Sequence, residues 1–571
     1  MLLVGFVFAA LQLVGADQSA RPRALDAADS VHIVRAARSA QISFEAFRRA
    51  HLPPGDSFSG PCDVTVGRYC YWRGDGDDDD RPPPPERADV RERRAALVRQ
   101  LDSATSALPG DQWLAGQRVR YLVEADRTDD ALHFALHDCR AGAAWCNALG
   151  GYAAQQASRF ALADSAYNAA LAAMDEAERC RWLDISSDLD GPVADRFDAD
   201  GCARRESFVR RLLWLGAPLY SVSATDLFTE HLARLTRARI AEHAATTDGD
   251  AWGDDARELA LRYGFTRWYS RVLPDIGSMR DPMYVGHDAS LPFDFIPSLR
   301  AVDHLDSLTN DDWQLDAPRA QSGYAPAYAH TMHDLPAQIA AFRRGDSTLV
   351  VAAWDARRDT SLADRPLDAA LVVASSPDSM WITRRDSSGA RGRLSVSARV
   401  DSGLVSVELL ARTDRHAARR RIGIPPRTTG RVALSDLLLF APPMSGPTGA
   451  TLDQVRDSAL TSDVMSLARP TGVYWETYGL RPAGEPVRYS LRVEPVAASW
   501  LHRAAERLHL AGAATSARVQ WQEVPRPSDG IAARSVRLDL TRLKNGRYRM
   551  ELTATVDGEP TVIARRAIVV Q

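Results

Sequence analysis

All six cysteines of this 571-residue chain, Cys62, Cys70, Cys139, Cys146, Cys180 and Cys202, fall within its first 202 residues. Covalent cross-links can therefore constrain only the N-terminal part, and everything after it must fold on non-covalent terms. An even, clustered set without a C-x-x-C pair reads as three disulfides and not as a zinc site. Sequence neighbours meet most readily, so the expected pairs are Cys62 with Cys70, Cys139 with Cys146, and Cys180 with Cys202. If residues 139–146 formed one helix, their Cα atoms would stand roughly 10 Å apart, beyond the reach of a bridge. "CRAGAAWC" must turn between its cysteines, and Gly142 is suited to that turn.

Disulfides need an oxidising compartment, and the N-terminus supplies a matching signal. Residues 1–16, MLLVGFVFAALQLVGA, form an apolar run closed by the small residues Val14-Gly15-Ala16, although no Lys or Arg precedes it. This reads as a signal peptide, with a mature chain beginning near Asp17 and a secreted or periplasmic location. The run is shorter than the roughly 20 residues of a bilayer-spanning helix, and no membrane span is expected elsewhere. The net charge of -4 and pI near 6.4 argue against nucleic acid and anionic membranes as partners.

Periodicity divides the chain. Residues 17–72 hold a helix, with apolar Val31, Val34, Ala37, Ile42, Phe44 and Phe47 ended by Pro53-Pro54, and then a cysteine loop. Residues 73–90, including "RGDGDDDDRPPPPE", read as a disordered acidic and Pro-rich linker. Residues 91–245 are alanine-rich with helical spacing, and Gly150-Gly151 is read as a break between helices. Gly151, Phe160, Ala163, Tyr167 and Ala170 there resemble the packing positions of a tetratricopeptide repeat.

A connecting segment, 246–324, leads to period-two alternation, as in Tyr548, Met550 and Leu552 against Arg549, Glu551 and Thr553. About a dozen strands, divided near "FAPPMSGPTGA", predict two antiparallel Ig-like β-sandwich domains at 325–445 and 446–571. "TATVDGEPTVIA" and "SARVDSGLVSVELL" are each read as a hairpin. With no upstream disulfide partner, residues from about 325 onward are expected to fold alone. The fold class is thus α+β multidomain.

Several motifs fail on mechanics. A calcium loop on Asp75, Asp77, Asp79 and Glu86 has Asp80 where the turn needs glycine. His133 and His137 lack the glutamate of a zinc-protease motif, as do His330 and His333. Asp401-Ser402-Gly403 has no second copy to share a proton with, and Arg344-Gly345-Asp346 is explained by a turn. No nucleophile elbow, P-loop or dinucleotide fingerprint is present, and no metal or cofactor is expected.

The densest stretch is "WGDDARELALRYG", Trp252 to Gly264. Asp254 and Asp255 are placed to cap a helix start, and Gly264 to end the helix. Trp252, Asp255, Arg257, Tyr263 and Gly264 resemble the motif of bacterial G-W-x-T-D domain proteins, with Trp252-Gly253 reversing the Gly-Trp order and Asp254 replacing the threonine. Downstream segments such as "FRRGDSTLVVAAWD" and "GVYWETYGL" resemble the β-region that follows it. The resemblance implies secretion and architecture but no chemistry. The expected function is non-catalytic: interaction with a protein or glycan partner in the cell envelope. The alternative is a secreted hydrolase with an acidic site at Asp254, Asp255 and Glu258, with Arg257, beside Trp252.

Overall fold

The computed structural model describes residues 27–55, 61–72, 84–222, 225–273, 282–287, 292–317, 319–427, 430–443, 451–496 and 516–571. The signal segment 1–16, the acidic residues 75–80 and most of "FAPPMSGPTGA" lie outside them.

The N-terminal part is built from α1 (Ala27–Ala50), α2 (Ala88–Ala107), α3 (Gln112–Val123), α4 (Thr128–His133), α5 (Ala143–Gln156), α6 (Phe160–Ala172), α7 (Glu176–Trp182), α8 (Gly191–Ala199), α9 (Cys202–Leu215) and α10 (Asp226–Ala241). A hairpin of β1 (Val64–Val66) and β2 (Tyr69–Tyr71) separates α1 from α2. The helix α2 starts inside the span read as linker. Its charged residues hid an apolar stripe of Val90, Leu97 and Leu101 that is buried among the other helices.

The three bridges join Cys62–Cys70, Cys139–Cys146 and Cys180–Cys202, with Cα separations of 5.3, 5.8 and 5.7 Å. The first closes the β1–β2 hairpin, and the third ties α7 to the start of α9. Gly142, at φ 100°, makes the turn between Cys139 and Cys146.

Gly150-Gly151 does not break a helix, contrary to expectation. Both lie within α5, where they let neighbouring side chains approach the backbone. A Cβ on Gly150 would stand 2.3 Å from Leu136, and one on Gly151 would stand 2.7 Å from the Tyr167 ring of α6. Gly151→Ala should therefore destabilise the protein by about 1–3 kcal/mol, net of a helix-propensity gain of up to about 1 kcal/mol. Urea denaturation reads this directly, and a variant as stable as the parent would show that α5 and α6 can separate at no cost.

After α10 come α11 (Asp254–Tyr263), a second hairpin of β3 (Trp268–Val272) and β4 (Met283–His287), and α12 (Leu299–Asp303). The β-rich part then begins with β5 (Thr331–Asp334), β6 (Ala337–Arg344), β7 (Ser347–Asp355), β8 (Leu367–Ser376), β9 (Ser379–Ser388), β10 (Arg391–Ala398), β11 (Gly403–Ala411) and β12 (His416–Ile424). They form a five-stranded sheet, β5-β12-β11-β8-β9, and a three-stranded sheet, β10-β7-β6. Further on lie β13 (Ala433–Leu434), β14 (Leu438–Phe440), α13 (Leu452–Arg456), β15 (Val464–Met465), β16 (Thr471–Tyr478), β17 (Val487–Pro495), β18 (Ala517–Glu523), β19 (Ile531–Leu538), β20 (Gly546–Val556) and β21 (Val562–Val570). β16 pairs with β13, β14 and β19, and a second five-stranded sheet runs β15-β21-β20-β17-β18.

These sheets stack on one another and on the helices. Val405, Val407 and Leu409 of β11 meet Val350, Ala352 and Trp354 of β7 in a core between the first two sheets. Phe342 and Val351 on the far side of the three-stranded sheet meet Leu438, Phe440 and Tyr474 of the next sheet. Trp475 and Val473 then pack with Tyr489, Leu491 and Leu552 of the last. At the other end, Val372, Leu404 and Leu410 join the helical core.

This packing bears on three sequence expectations. β13 and β14 pair with β16, so the strands from Ala433 to Phe440, placed before the expected division near residue 445, join the later sheets. "SARVDSGLVSVELL" is no hairpin: β10 pairs with β7 while β11 pairs with β8 and β12, so Asp401-Ser402-Gly403 carries the chain from one sheet to the other. Helices also cover the outer face of the first sheet of the β-rich part, which bears against the expectation that this part folds alone. The Asp557-Gly558 turn does join paired strands, β20 and β21, with Gly558 at φ 82°. Arg344-Gly345-Asp346 likewise joins β6 to β7, with Gly345 at φ 60°.

Candidate functional site: an aromatic and arginine-lined cleft

The helix α11 shows what "WGDDARELALRYG" does. Gly253 occupies the N-cap position without a side-chain bond, so neither aspartate caps from there. Asp254 is exposed. Asp255 accepts the Ala256 N–H, but its carboxylate is chiefly engaged by Arg68 at the tip of the β1–β2 hairpin, at 2.7 and 3.0 Å. The Arg68 side-chain hydrogen bonds hold the Asp255 carboxyl well below its usual range. Gly67, at φ 52°, lets the hairpin come this close, since a Cβ there would lie 2.4 Å from Asp255.

The rest of the segment extends this dock. Tyr263 stacks on Tyr71 of the hairpin at 4.0 Å and donates its hydroxyl to Ala320 O. Trp252 stacks on Phe265 in nearly parallel planes, closing the two ends of the helix together. Arg234 of α10 donates to Leu261 O and Arg262 O, satisfying terminal carbonyls of α11 where Gly264 turns the chain at φ 91°. Glu258 is paired with Arg262, and Arg257 is exposed. The acidic residues Asp254, Asp255 and Glu258 thus do not converge, whereas Trp252, Leu259 and Tyr263 face a large cleft on the other side.

Removing the hairpin's ionic partner should loosen it. In Asp255→Ala, backbone amides of residues 64–71 are expected to exchange with deuterium faster than in the parent. Unchanged protection would mean that the Tyr71–Tyr263 stack and the disulfide hold the hairpin by themselves.

The cleft has a volume of about 1430 Å³. Among the described residues, nine aromatic rings line it, Tyr69, Trp252, Tyr263, Trp268 and Tyr269 included, together with eight arginines and five carboxylates. Trp268 is held flat against His287 at 3.9 Å, and His287 accepts from or donates to Ser270. Burial pushes the Tyr269 phenol above its usual range.

The cleft floor is an ion cluster drawn from four helices and helix ends. Glu124 receives Arg48 at 2.9 Å, Arg120 at 2.8 Å and Arg237 at 3.2 Å. Glu45, fully buried, accepts from Arg120, Tyr121 and Thr247. Arg94 pairs with Glu86 and donates to Glu124 O. The three arginines around Glu124 hold its carboxyl far below the ordinary range despite burial. Nothing in the sequence singled these residues out: each lies in an ordinary helical stretch, and only the packing of α1, α2, α3 and α10 brings them together.

A second polar site lies beside the cleft, sharing Glu230, Arg234 and Tyr324 with it. Here His231 Nδ1 stands 3.0 Å from Asp188 Oδ2, both buried, in a cavity of about 30 Å³. That space matches roughly one water molecule and excludes a substrate. His133 and His137 stack loosely on each other, and His133 pairs with Asp138 at 3.6 Å. His333 pairs with Asp359 at 2.6 Å. Among the described residues, no cluster of three or more His, Cys, Asp or Glu is arranged to hold a metal, and no helix is long and apolar enough to cross a membrane.

No protein-family model and no curated protein matches the chain. Among solved structures, a red sea bream transglutaminase aligns at 11% identity over 41% of this chain and 31% of its own, with a TM-score of 0.13. A Salmonella alpha-2-macroglobulin reacted with methylamine aligns at 10% identity over 52% of this chain and 26% of its own, with a TM-score of 0.18. The chain therefore spans about a third or less of these two proteins, and similarity at this level carries no assignment of fold or activity.

Proposed function

We propose that this chain is an exported, non-catalytic binding protein whose cleft engages a partner outside the cytoplasm. In this reading it is a divergent G-W-x-T-D domain protein, with a tetratricopeptide-like helical pair at α5–α6 and two Ig-like β-sandwiches serving as a rigid support. The observation that carries the reading is the cleft. It is larger than the roughly 300–1,000 Å³ of a small-molecule pocket and rich in aromatic faces. Of the acidic residues of an alternative hydrolase site, Asp255 and Glu258 instead pair with Arg68 and Arg262, and Asp254 is exposed. A catalytic carboxylate pair must meet at one substrate, and these point to different neighbours.

Three disulfides suit an exported protein, and the mature chain should begin at or near Asp17. Mass spectrometry of the native protein checks this; an intact Met1 on a cytosolic species would contradict export. Binding is tested by capture from the cell-envelope fraction with the mature protein and with Trp268→Ala, after equal melting temperatures are verified. Capture should depend on Trp268. A partner retained equally by both proteins would place binding elsewhere and remove the cleft from the proposal.

A further inference from the structure

Resting on that reading, we infer that the ligand of the cleft is an acidic saccharide, whose carboxylate meets the Arg94 and Arg237 guanidinium groups beside Glu124. The charge balance of the floor leads there. Direct contacts join four arginines, Arg48, Arg94, Arg120 and Arg237, to three carboxylates, Glu45, Glu86 and Glu124, leaving one positive charge in excess. Two guanidinium N–H groups of this cluster, Arg94 Nε and Arg237 Nη1, are buried without an acceptor among the described residues. Both arginines line the cleft, and both touch Glu124, one at its carbonyl and the other at its carboxylate.

A buried guanidinium N–H that lacks an acceptor is costly, and arginine cannot relieve the cost by releasing its proton. Burial lowers the Arg237 pKa, yet the group stays charged. An incoming carboxylate beside these guanidinium groups would neutralise the excess charge. The planar guanidinium fork suits that geometry. With a net charge of -4, the chain exerts no general pull on anions, so the attraction is local to this floor.

The walls favour a saccharide over an acidic peptide. Peptides are commonly read by adding a strand to a sheet edge or a helix to an apolar groove. Here helix faces and loop segments line the cleft together, and charged side chains interrupt the apolar groove that a docked helix would need. β3, the strand at the rim, is paired with β4 and also bonded to Pro53 and Gly55 through Arg271. The aromatic rings of the lining, Trp268 among them with one face held against His287, instead suit pyranose rings, with polar edges left for hydroxyls. The cleft volume of about 1430 Å³ accommodates several rings.

Calorimetric titration of the intact, disulfide-bonded protein with trigalacturonic acid and with its methyl ester tests the inference. The acid should bind at least about tenfold more tightly than the ester, with affinity falling as salt rises. Arg237→Gln should lose about tenfold for the acid and leave the ester unchanged. Should that variant unfold, Arg94→Gln gives the same comparison. Equal affinity for acid and ester would overturn the charge inference while leaving the binding reading intact. Binding of neither trisaccharide, or tighter binding of hexaglutamate, would overturn the choice of an acidic saccharide. The binding reading itself falls only if capture is indifferent to Trp268.

Discussion

Replacing Arg421 by alanine is expected to destabilise the whole protein by about 3–5 kcal/mol, a typical cost of breaking a buried ion pair on one side. Arg421 is fully buried in β12, where it donates to Leu215 O, Ala217 O and Pro218 O, just beyond and at the end of α9. Its guanidinium lies over the Tyr220 and Trp313 rings, at 4.1 and 5.3 Å. Glu408, on the neighbouring strand β11 and 3.9 Å away, accepts from Tyr220 N and Ser221 N and from Ser406 Oγ. Arg419 repeats the bonds to Ala217 O and Pro218 O. Removing Arg421 leaves the buried Glu408 charge without its nearest cation and Leu215 O without its side-chain donor. Chemical denaturation measures the loss; a change below about 1 kcal/mol would show that Arg419 takes over its role.

The same interface predicts that residues 325–571 alone will not melt cooperatively. That fragment would expose Glu408, Arg419 and Arg421 together with Val372, Leu404 and Leu410, all of which the helical part now covers. Circular dichroism of the fragment decides this, and a sharp β-type melt would refute it.

This interface also shows what alternation alone leaves undetermined. "GLVSVELLA" alternates Val405, Val407 and Leu409 with Ser406 and Glu408, a pattern that by itself implies one dry and one wet face. Every residue of β11 is buried, because the polar face meets arginines and main-chain amides instead of water. Period-two patterning reports polarity, and only the tertiary partner decides whether that polarity is hydrated. The strands and the β20–β21 turn were legible because local alternation and Asp-Gly chemistry determine them. The β10–β11 connection was not, since a short polar link between two strands looks the same whether it closes a hairpin or crosses between sheets.

The site was legible to a similar depth. Tyr263-Gly264 and Trp252 stood out as residue types with a special structural task, and they proved to be parts of a dock for the first disulfide hairpin. What that dock helps to build, a cleft floored by Glu124 and its arginines, could not be read from spacing. Glu45, Arg120, Arg237 and Thr247 come from separate stretches of the chain, and no local pattern marks a residue whose neighbours lie a hundred positions away.

Asp226→Asn should make the protein more stable at pH 8 and leave it nearly unchanged at pH 4. Asp226, the first residue of α10, is fully buried; its carboxyl accepts from Leu227 N at 3.1 Å and Tyr328 Oη at 2.7 Å. The charged groups that bear on it are Arg421, which favours the carboxylate, and Glu230, which opposes it. Burial dominates and pushes its pKa up to about 7, from an ordinary 3.8. A carboxyl whose folded pKa lies above its unfolded value favours folding most below the unfolded value, near pH 3.8, and loses that contribution as pH rises through 7. The full difference amounts to about 4 kcal/mol at most, and asparagine, which never ionises, should recover much of it above pH 7. Denaturation midpoints measured from pH 4 to 8 should therefore fall for the parent and flatten for Asp226→Asn across the same interval. Parallel profiles for the two proteins would mean that Asp226 keeps an ordinary pKa and that its charge is already stabilised where it lies.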